Sequence, residues 1–150
     1  MPSKVYDVVI VGSGAAGGTL ASRLARAGVQ VALVEGGPKL NTRTDFNTHA
    51  MPWEFANRHI PVMKPGKPGM DSQRTRGAGG KTQTWNAVAW RFSQRDFKGQ
   101  DWDDGAGENW PINYSDLAPY YDSIEREVGC CGNLDGLEDL PDGIFLPPVP

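Results

Sequence analysis

The sequence predicts an α/β fold that opens with a parallel strand, helix and strand, and three features point there. Val8 to Val11 is an unbroken apolar run with glycines just beyond it. Ala16, Leu20, Leu24 and Ala27 recur at helical spacing, and Val29 to Val34 is a second apolar run ending at Glu35. Continuous β-branched runs read as strands buried on both faces, whereas one apolar stripe opposite polar positions reads as a helix.

Taken in order, the first strand leads into a helix over Ala15 to Ala27, with Arg23 and Arg26 on its polar face and Gly28 as its stop. A helical crossover makes the two strands parallel, and such crossovers are right-handed. From Pro38 to Thr75 no period survives, because Pro52, Pro61, Pro65 and Pro68 interrupt every window. This excursion holds both histidines, His49 and His59, expected as surface or packing residues, together with Trp53 and Phe55 as side chains to bury. Arg76 to Phe92 starts as a glycine cluster and passes into an aromatic stretch expected to pack inside. Gln100 to Trp110 is an acidic loop. Ser115 is then the expected N-cap of a helix whose apolar face is Leu117, Tyr121, Ile124 and Val128, ending at Gly129. The organisation expected is a strand–helix–strand unit over 1–37, an irregular lid over 38–75, a glycine loop with its continuation over 76–99, and the beginning of a second domain over 100–150.

Composition narrows the function classes. The chain has 150 residues, the size of one ordinary domain, and no apolar run approaches the roughly 18 residues of a membrane span. A cytoplasmic protein with no membrane contact is expected. Cys130 and Cys131 are adjacent and expected to be reduced thiols. No metal site is expected: the acidic stretch Asp101 to Glu108 would place Ala106 where a calcium loop needs its turn glycine. Residues 1–100 carry 14 Lys or Arg against 6 Asp or Glu, net +8, whereas 101–150 carry 1 against 12, net -11. The basic part lacks the aromatic interleaving of a nucleic-acid surface, so an anionic small molecule explains it better.

That molecule is indicated by Gly12-Ser13-Gly14-Ala15-Ala16-Gly17, a Gly-x-Gly-x-x-Gly turn set between a strand and a helix. The first glycine permits the turn, the second admits a pyrophosphate to the backbone, and the third lets helix and strand approach; the helix amides and dipole then hold the phosphate charge. Glu35, 23 residues past Gly12, stands where a carboxylate accepts ribose hydroxyls and repels a 2′-phosphate. This is a Rossmann-like dinucleotide signature, and by itself it leaves NAD and FAD open. A second loop, Arg76-Gly77-Ala78-Gly79-Gly80-Lys81-Thr82-Gln83-Thr84-Trp85-Asn86, adds exposed amides, two cations and hydroxyls that a simple NAD site does not need.

With these two loops in view, the chain resembles the glucose-methanol-choline (GMC) family of flavoprotein oxidoreductases. The resemblance lies in Tyr6 to Gly37, with Val-Glu-Gly-Gly closing the second strand, and in Arg76 to Phe92, similar to that family's flavin-contacting segment. A looser likeness, Trp110-Pro111-Ile112 with Tyr114, Leu117, Tyr120 and Tyr121, points to the sugar-oxidising members and to the start of their substrate-binding domain. The resemblance implies an FAD-binding domain. Gly12, Gly14, Ala15, Ala16 and Gly17 would hold the pyrophosphate, Glu35 and Gly36 the adenosine, and Arg76, Gly79, Gly80, Thr82, Thr84, Trp85, Asn86, Ala87 and Ala89 the flavin side. Some relatives attach flavin through a histidine where this chain has Thr84, so non-covalent FAD is expected.

The activity implied is oxidation of an alcohol, a secondary hydroxyl of a pyranose sugar or glycoside, by hydride transfer to flavin N5. The electron acceptor, oxygen or another, is undecided, and homo-oligomer formation is left open. The family's acid/base pair lies near the end of much longer chains, so catalytic residues are expected beyond Pro150, and the 150 residues alone are expected to be inactive. A non-catalytic nucleotide-binding module and an NAD-dependent dehydrogenase are the alternatives.

Overall fold

The computed structural model describes residues 4–47, 49–51, 54, 75–99 and 107–149. Most of the predicted lid, with His59, Trp53 and Phe55, and most of the acidic loop lie outside them. The chain divides into two compact units, Met1–Ala87 and Val88–Pro150.

The first unit contains the predicted strand–helix–strand. Strand β1 (Val8–Val11) pairs in parallel with β2 (Val31–Val34), in the register Val8↔Val31 to Val11↔Val34, and α1 (Ala15–Arg26) crosses between them. The ladder is tied at both ends. The Asp7 amide donates to the Gln30 carbonyl at 2.9 Å, and the Gly12 amide to the Val34 carbonyl at 2.7 Å. β2 begins two residues later than the apolar run suggests, because the Val29 amide bonds back to the Leu24 carbonyl and so finishes the helix, with Gly28 left-handed at φ 86°.

The expectation that both strands are buried on both faces does not hold for the described residues. Ile10, under α1, is 8% exposed, whereas Val11 is 84% exposed and Val9, Leu33 and Val34 are also open. An unbroken apolar run needs a layer on each side of the sheet, and α1 covers one.

In the second unit, residues 90 to 93 alternate: Trp90 and Phe92 are exposed, Arg91 and Ser93 buried. Successive side chains of extended backbone point to opposite sides. The aromatic stretch therefore does not pack inside as expected; Trp85 is exposed and Trp90 is 74% exposed. Phe97, at the end of a 3-10 turn over Gln94–Phe97, is buried and meets the Phe92 ring edge-to-face with centroids 6.2 Å apart.

Helix α2 (Tyr114–Val128) starts two residues earlier than predicted. Its cap is Asn113, whose Oδ1 accepts the Ser115 amide at 3.0 Å, while Asp116 Oδ2 accepts the Asn113 amide at 2.9 Å. This reciprocal capping needs an acidic residue three positions past the cap, which Asn113 has and Ser115 does not. The helix ends on left-handed Gly129, as predicted. Its buried residue is Glu125 rather than the apolar face, and Val128 is exposed.

Candidate cofactor site

The site lies in the first unit, where β1 turns into α1. Gly12 has φ 91°, which a side chain would strain. A Cβ on Gly17 would stand 2.1 Å from the Gly12 carbonyl oxygen and 3.3 Å from Ile10 Cγ2, so the helix can lie this close to the strand only with glycine there. A Cβ on Gly14, in contrast, would meet nothing within 4 Å. The second glycine opens toward free space, as a turn that admits a ligand's pyrophosphate requires.

Gly14 caps α1 without a side chain, and the first turn contains no acidic residue. The amides of Ala15, Ala16 and Gly17 therefore have no partner within the helix and stand at its positive end. These residues fit an anionic diphosphate.

Glu35, at the end of β2, is drawn against the turn. Its Oε2 accepts the Ser13 amide at 2.9 Å and the Ser13 hydroxyl at 2.6 Å, and its Oε1 accepts the Gly36 and Gly37 amides at 2.8 and 3.1 Å. Stabilised foremost by the Ser13 hydroxyl, its pKa falls from the usual carboxylate range to about 2. The group is an anion at neutral pH, able to accept sugar hydroxyls and repelling any phosphate placed on it.

The second glycine loop is brought to the first. Gly79 and Gly80 are both left-handed, at φ 96° and 56°, and lead into a 3-10 turn over Gly80–Gln83 that lies against α1. The Gly79 amide donates to Ser13 Oγ at 3.0 Å, and a Cβ on Gly80 would stand 3.1 Å from Gly14 Cα. At the base of the loop the Ala78 amide bonds the Pro38 carbonyl at 2.9 Å, and a Cβ on Gly37 would sit 2.4 Å from the Arg76 carbonyl carbon. The loop closes on itself through the Thr82 hydroxyl, which donates to the Gly79 carbonyl, and through Gln83 Nε2, which donates to the Ala78 carbonyl at 2.9 Å. Thr84 Oγ1 lies 2.9 Å from Thr75 Oγ1.

The structure thus gathers Gly12, Gly14, Gly17, Glu35, Gly79 and Gly80 at one place. Ala15, Ala16 and Gly36 border it, Arg76 is exposed at the base of the loop, and Trp85, Asn86 and Ala87 follow the loop, exposed, with Ala87 at φ 55°. Ala89 is exposed in the second unit. Sequence reasoning did not single out Ser13 or Gly37. Ser13 occupies an unconstrained position of the glycine signature, and the close approach of Gly37 to Arg76 depends on a contact 39 positions away. His49 is exposed, its amide bonded to Asn47 Oδ1 at 3.0 Å. Among the described residues no cluster of potential metal ligands occurs, and no helix is long and apolar enough to cross a membrane.

A family model described as an FAD binding domain matches residues 7–51, which include β1, the glycine turn, α1 and Glu35. Over 145 residues the chain is 32% identical to paromamine 6'-oxidase of Streptomyces fradiae, an alignment covering 89% of this chain and 25% of that protein. It is 30% identical over 150 residues to the fructose dehydrogenase large subunit of Gluconobacter japonicus, covering 84% and 27%. It is 37% identical over 145 residues to the oxygen-dependent choline dehydrogenase of Paraburkholderia xenovorans, covering 86% and 24%. The chain thus spans about a quarter of the length of the curated relatives it matches. The solved structure of an FAD-dependent oxidoreductase from Chaetomium thermophilum superimposes with a TM-score of 0.57 over 93% of this chain and 26% of that one, at 20% identity, and so shares the fold. With its two glycine turns joined beside Glu35 and these likenesses along most of its length, the chain is similar to one part of the GMC-type FAD oxidoreductases, the part that carries the FAD-binding fold.

Proposed function

We propose that the protein containing this chain binds FAD without a covalent link and oxidises an alcohol group, a secondary hydroxyl of a pyranose sugar or glycoside. The observation that carries the cofactor reading is Gly14, whose missing side chain leaves free space at the uncapped start of α1, with the Glu35 carboxylate held beside it. When bound, FAD supplies a two-electron acceptor for hydride. The residues of this chain do the holding: the amides of Ala15 to Gly17 face the diphosphate, Glu35 the ribose, and the Gly79 to Thr84 turn stands next to both. Thr84 cannot form the linkage that histidine makes in some relatives, which supports a dissociable flavin.

Relatives named for paromamine and fructose favour a sugar or glycoside; those named for choline favour a small amino alcohol. The purified protein should be yellow, release its flavin on acid precipitation, and be bleached anaerobically by pyranosides. Bleaching by choline with none by any sugar would replace the substrate reading. A colourless protein that binds NADH would replace the cofactor.

A further inference from the structure

Glu35 and the second glycine loop are joined through one side chain that neither the glycine signature nor the ribose role accounts for. The Gly79 amide donates to Ser13 Oγ at 3.0 Å, and Ser13 Oγ donates to Glu35 Oε2 at 2.6 Å. A hydroxyl can do both at once, because it has one donor and two acceptor lone pairs, and each bond in such a chain strengthens the other. Glu35 also accepts the amides of Ser13, Gly36 and Gly37. A carboxylate offers about four lone-pair sites, and four donors from the chain already use them.

A ligand hydroxyl arriving at Glu35 must therefore share or displace one of these donors. Three are backbone amides fixed by the turn and the strand end. The fourth, the Ser13 hydroxyl, swings about a single bond, and it is also the one that accepts from Gly79. The same hydroxyl thus touches both the carboxylate and a loop residue 66 positions from Ser13 in sequence.

We propose that Ser13 is a positioning residue of the cofactor site, holding Glu35 and the Gly79 to Thr84 turn in one arrangement and linking ligand contact at the carboxylate to the placement of that turn. Its ligand consequence rests on the FAD reading above; the coupling itself does not.

The test has an unliganded and a liganded arm. In the free full-length protein, NMR follows amide hydrogen exchange from Gly79 to Thr84 and the titration of the Glu35 carboxyl in wild type, Ser13→Ala and Ser13→Thr. Ser13→Ala is expected to speed Gly79 exchange at least tenfold and to move the Glu35 midpoint upward, and Ser13→Thr, which keeps the hydroxyl, to restore both. In FAD titrations, Ser13→Ala is expected to weaken binding about tenfold, an effect that disappears in a Glu35→Gln background. Unchanged exchange and titration in Ser13→Ala, no recovery with Ser13→Thr, or an equal FAD loss in the Glu35→Gln background would each overturn the proposal. If Ser13→Ala does not fold, Ser13→Cys, a weaker donor, is read the same way. Wild-type protein that binds no FAD refutes the FAD reading, while the unliganded arm still decides the coupling.

Discussion

Glu125 clasps the Arg91 guanidinium on two sides, accepting Nε at Oε1 over 2.7 Å and Nη2 at Oε2, with both residues buried. Asp122 accepts from Arg91 Nη2 and the Tyr114 hydroxyl from Nη1, at 2.6 and 3.0 Å, and the Ile144 amide donates to Glu125 Oε2 at 2.8 Å. One ion pair thus ties the extended segment, α2 and the final segment of the second unit together. The Arg91 bonds hold the Glu125 pKa below the usual carboxylate range despite burial, and Glu125 raises that of Arg91.

Removing one partner leaves the other charge buried and unpaired, which costs about 3–5 kcal/mol. Glu125→Gln and Arg91→Met are each expected to destabilise the second unit by that order in chemical denaturation. A change below about 1 kcal/mol would show that the pair is dispensable.

Gly143 lies against the same carboxylate: a Cβ there would stand 2.5 Å from Glu125 Oε2 and 2.7 Å from Oε1. Because Arg91 and the Ile144 amide fix those oxygens, Gly143→Ala should cost about 1–3 kcal/mol, as overpacking does. In an Arg91→Met background the carboxylate is freer to move, so the cost there should be smaller, as a double-mutant cycle would measure.

The glycines of the first turn should separate folding from binding. Gly17→Ala forces backbone to move and is expected to lower the melting temperature and abolish flavin retention together. Gly14 has ordinary backbone angles, φ -62° and ψ -173°, and open space at its Cβ. Gly14→Ala should therefore melt like wild type and yet bind FAD at least tenfold more weakly; equal affinity would move the diphosphate elsewhere.

Glu35 sets an acid limit. A carboxyl whose folded pKa is below its unfolded value stabilises the fold fully above the unfolded pKa, and that contribution is lost as pH falls through the folded one. The window runs from about 4.5 down to about 2. Acid unfolding followed between those limits should be flatter in Glu35→Gln than in wild type, and identical slopes would mean that Glu35 titrates normally.

The cap of α2 offers a direct check on how it is read from sequence. Asn113→Ala is expected to cost about 1 kcal/mol by thermal denaturation, and Ser115→Ala less, since Asn113 Oδ1 would still accept the Ser115 amide and only the bond from the Ser115 hydroxyl would go.

These sites also show what local pattern can and cannot disclose. The turn from Gly12 to Gly17, α1 and Glu35 are legible because each rests on neighbours a few residues away or on one fixed spacing. The start of α2 is misplaced when Ser115 is taken as its cap, because the acid that completes the reciprocal cap stands three positions past Asn113 and not past Ser115. Arg91 was hidden in an aromatic stretch, and its partner is 34 residues distant, so nothing local distinguishes it from a surface arginine. The burial expected of Val9 and Val11 failed for a related reason: an apolar run reports what a strand can be covered with, and not what covers it. Ser13 escaped notice because its importance lies in joining two loops, a property of three-dimensional proximity alone.

The bare side of the first unit has a consequence for handling the protein. Among the described residues the parallel ladder has two strands, which leaves backbone groups unpaired along both outer edges, and exposed Val9, Val11 and Val34 stand next to them. Edges of this kind template further strands and draw chains into aggregates. Expressed as these 150 residues, the polypeptide should lose solubility as its concentration rises, and a charged residue in place of Val11 should keep it in solution without touching the glycine turn.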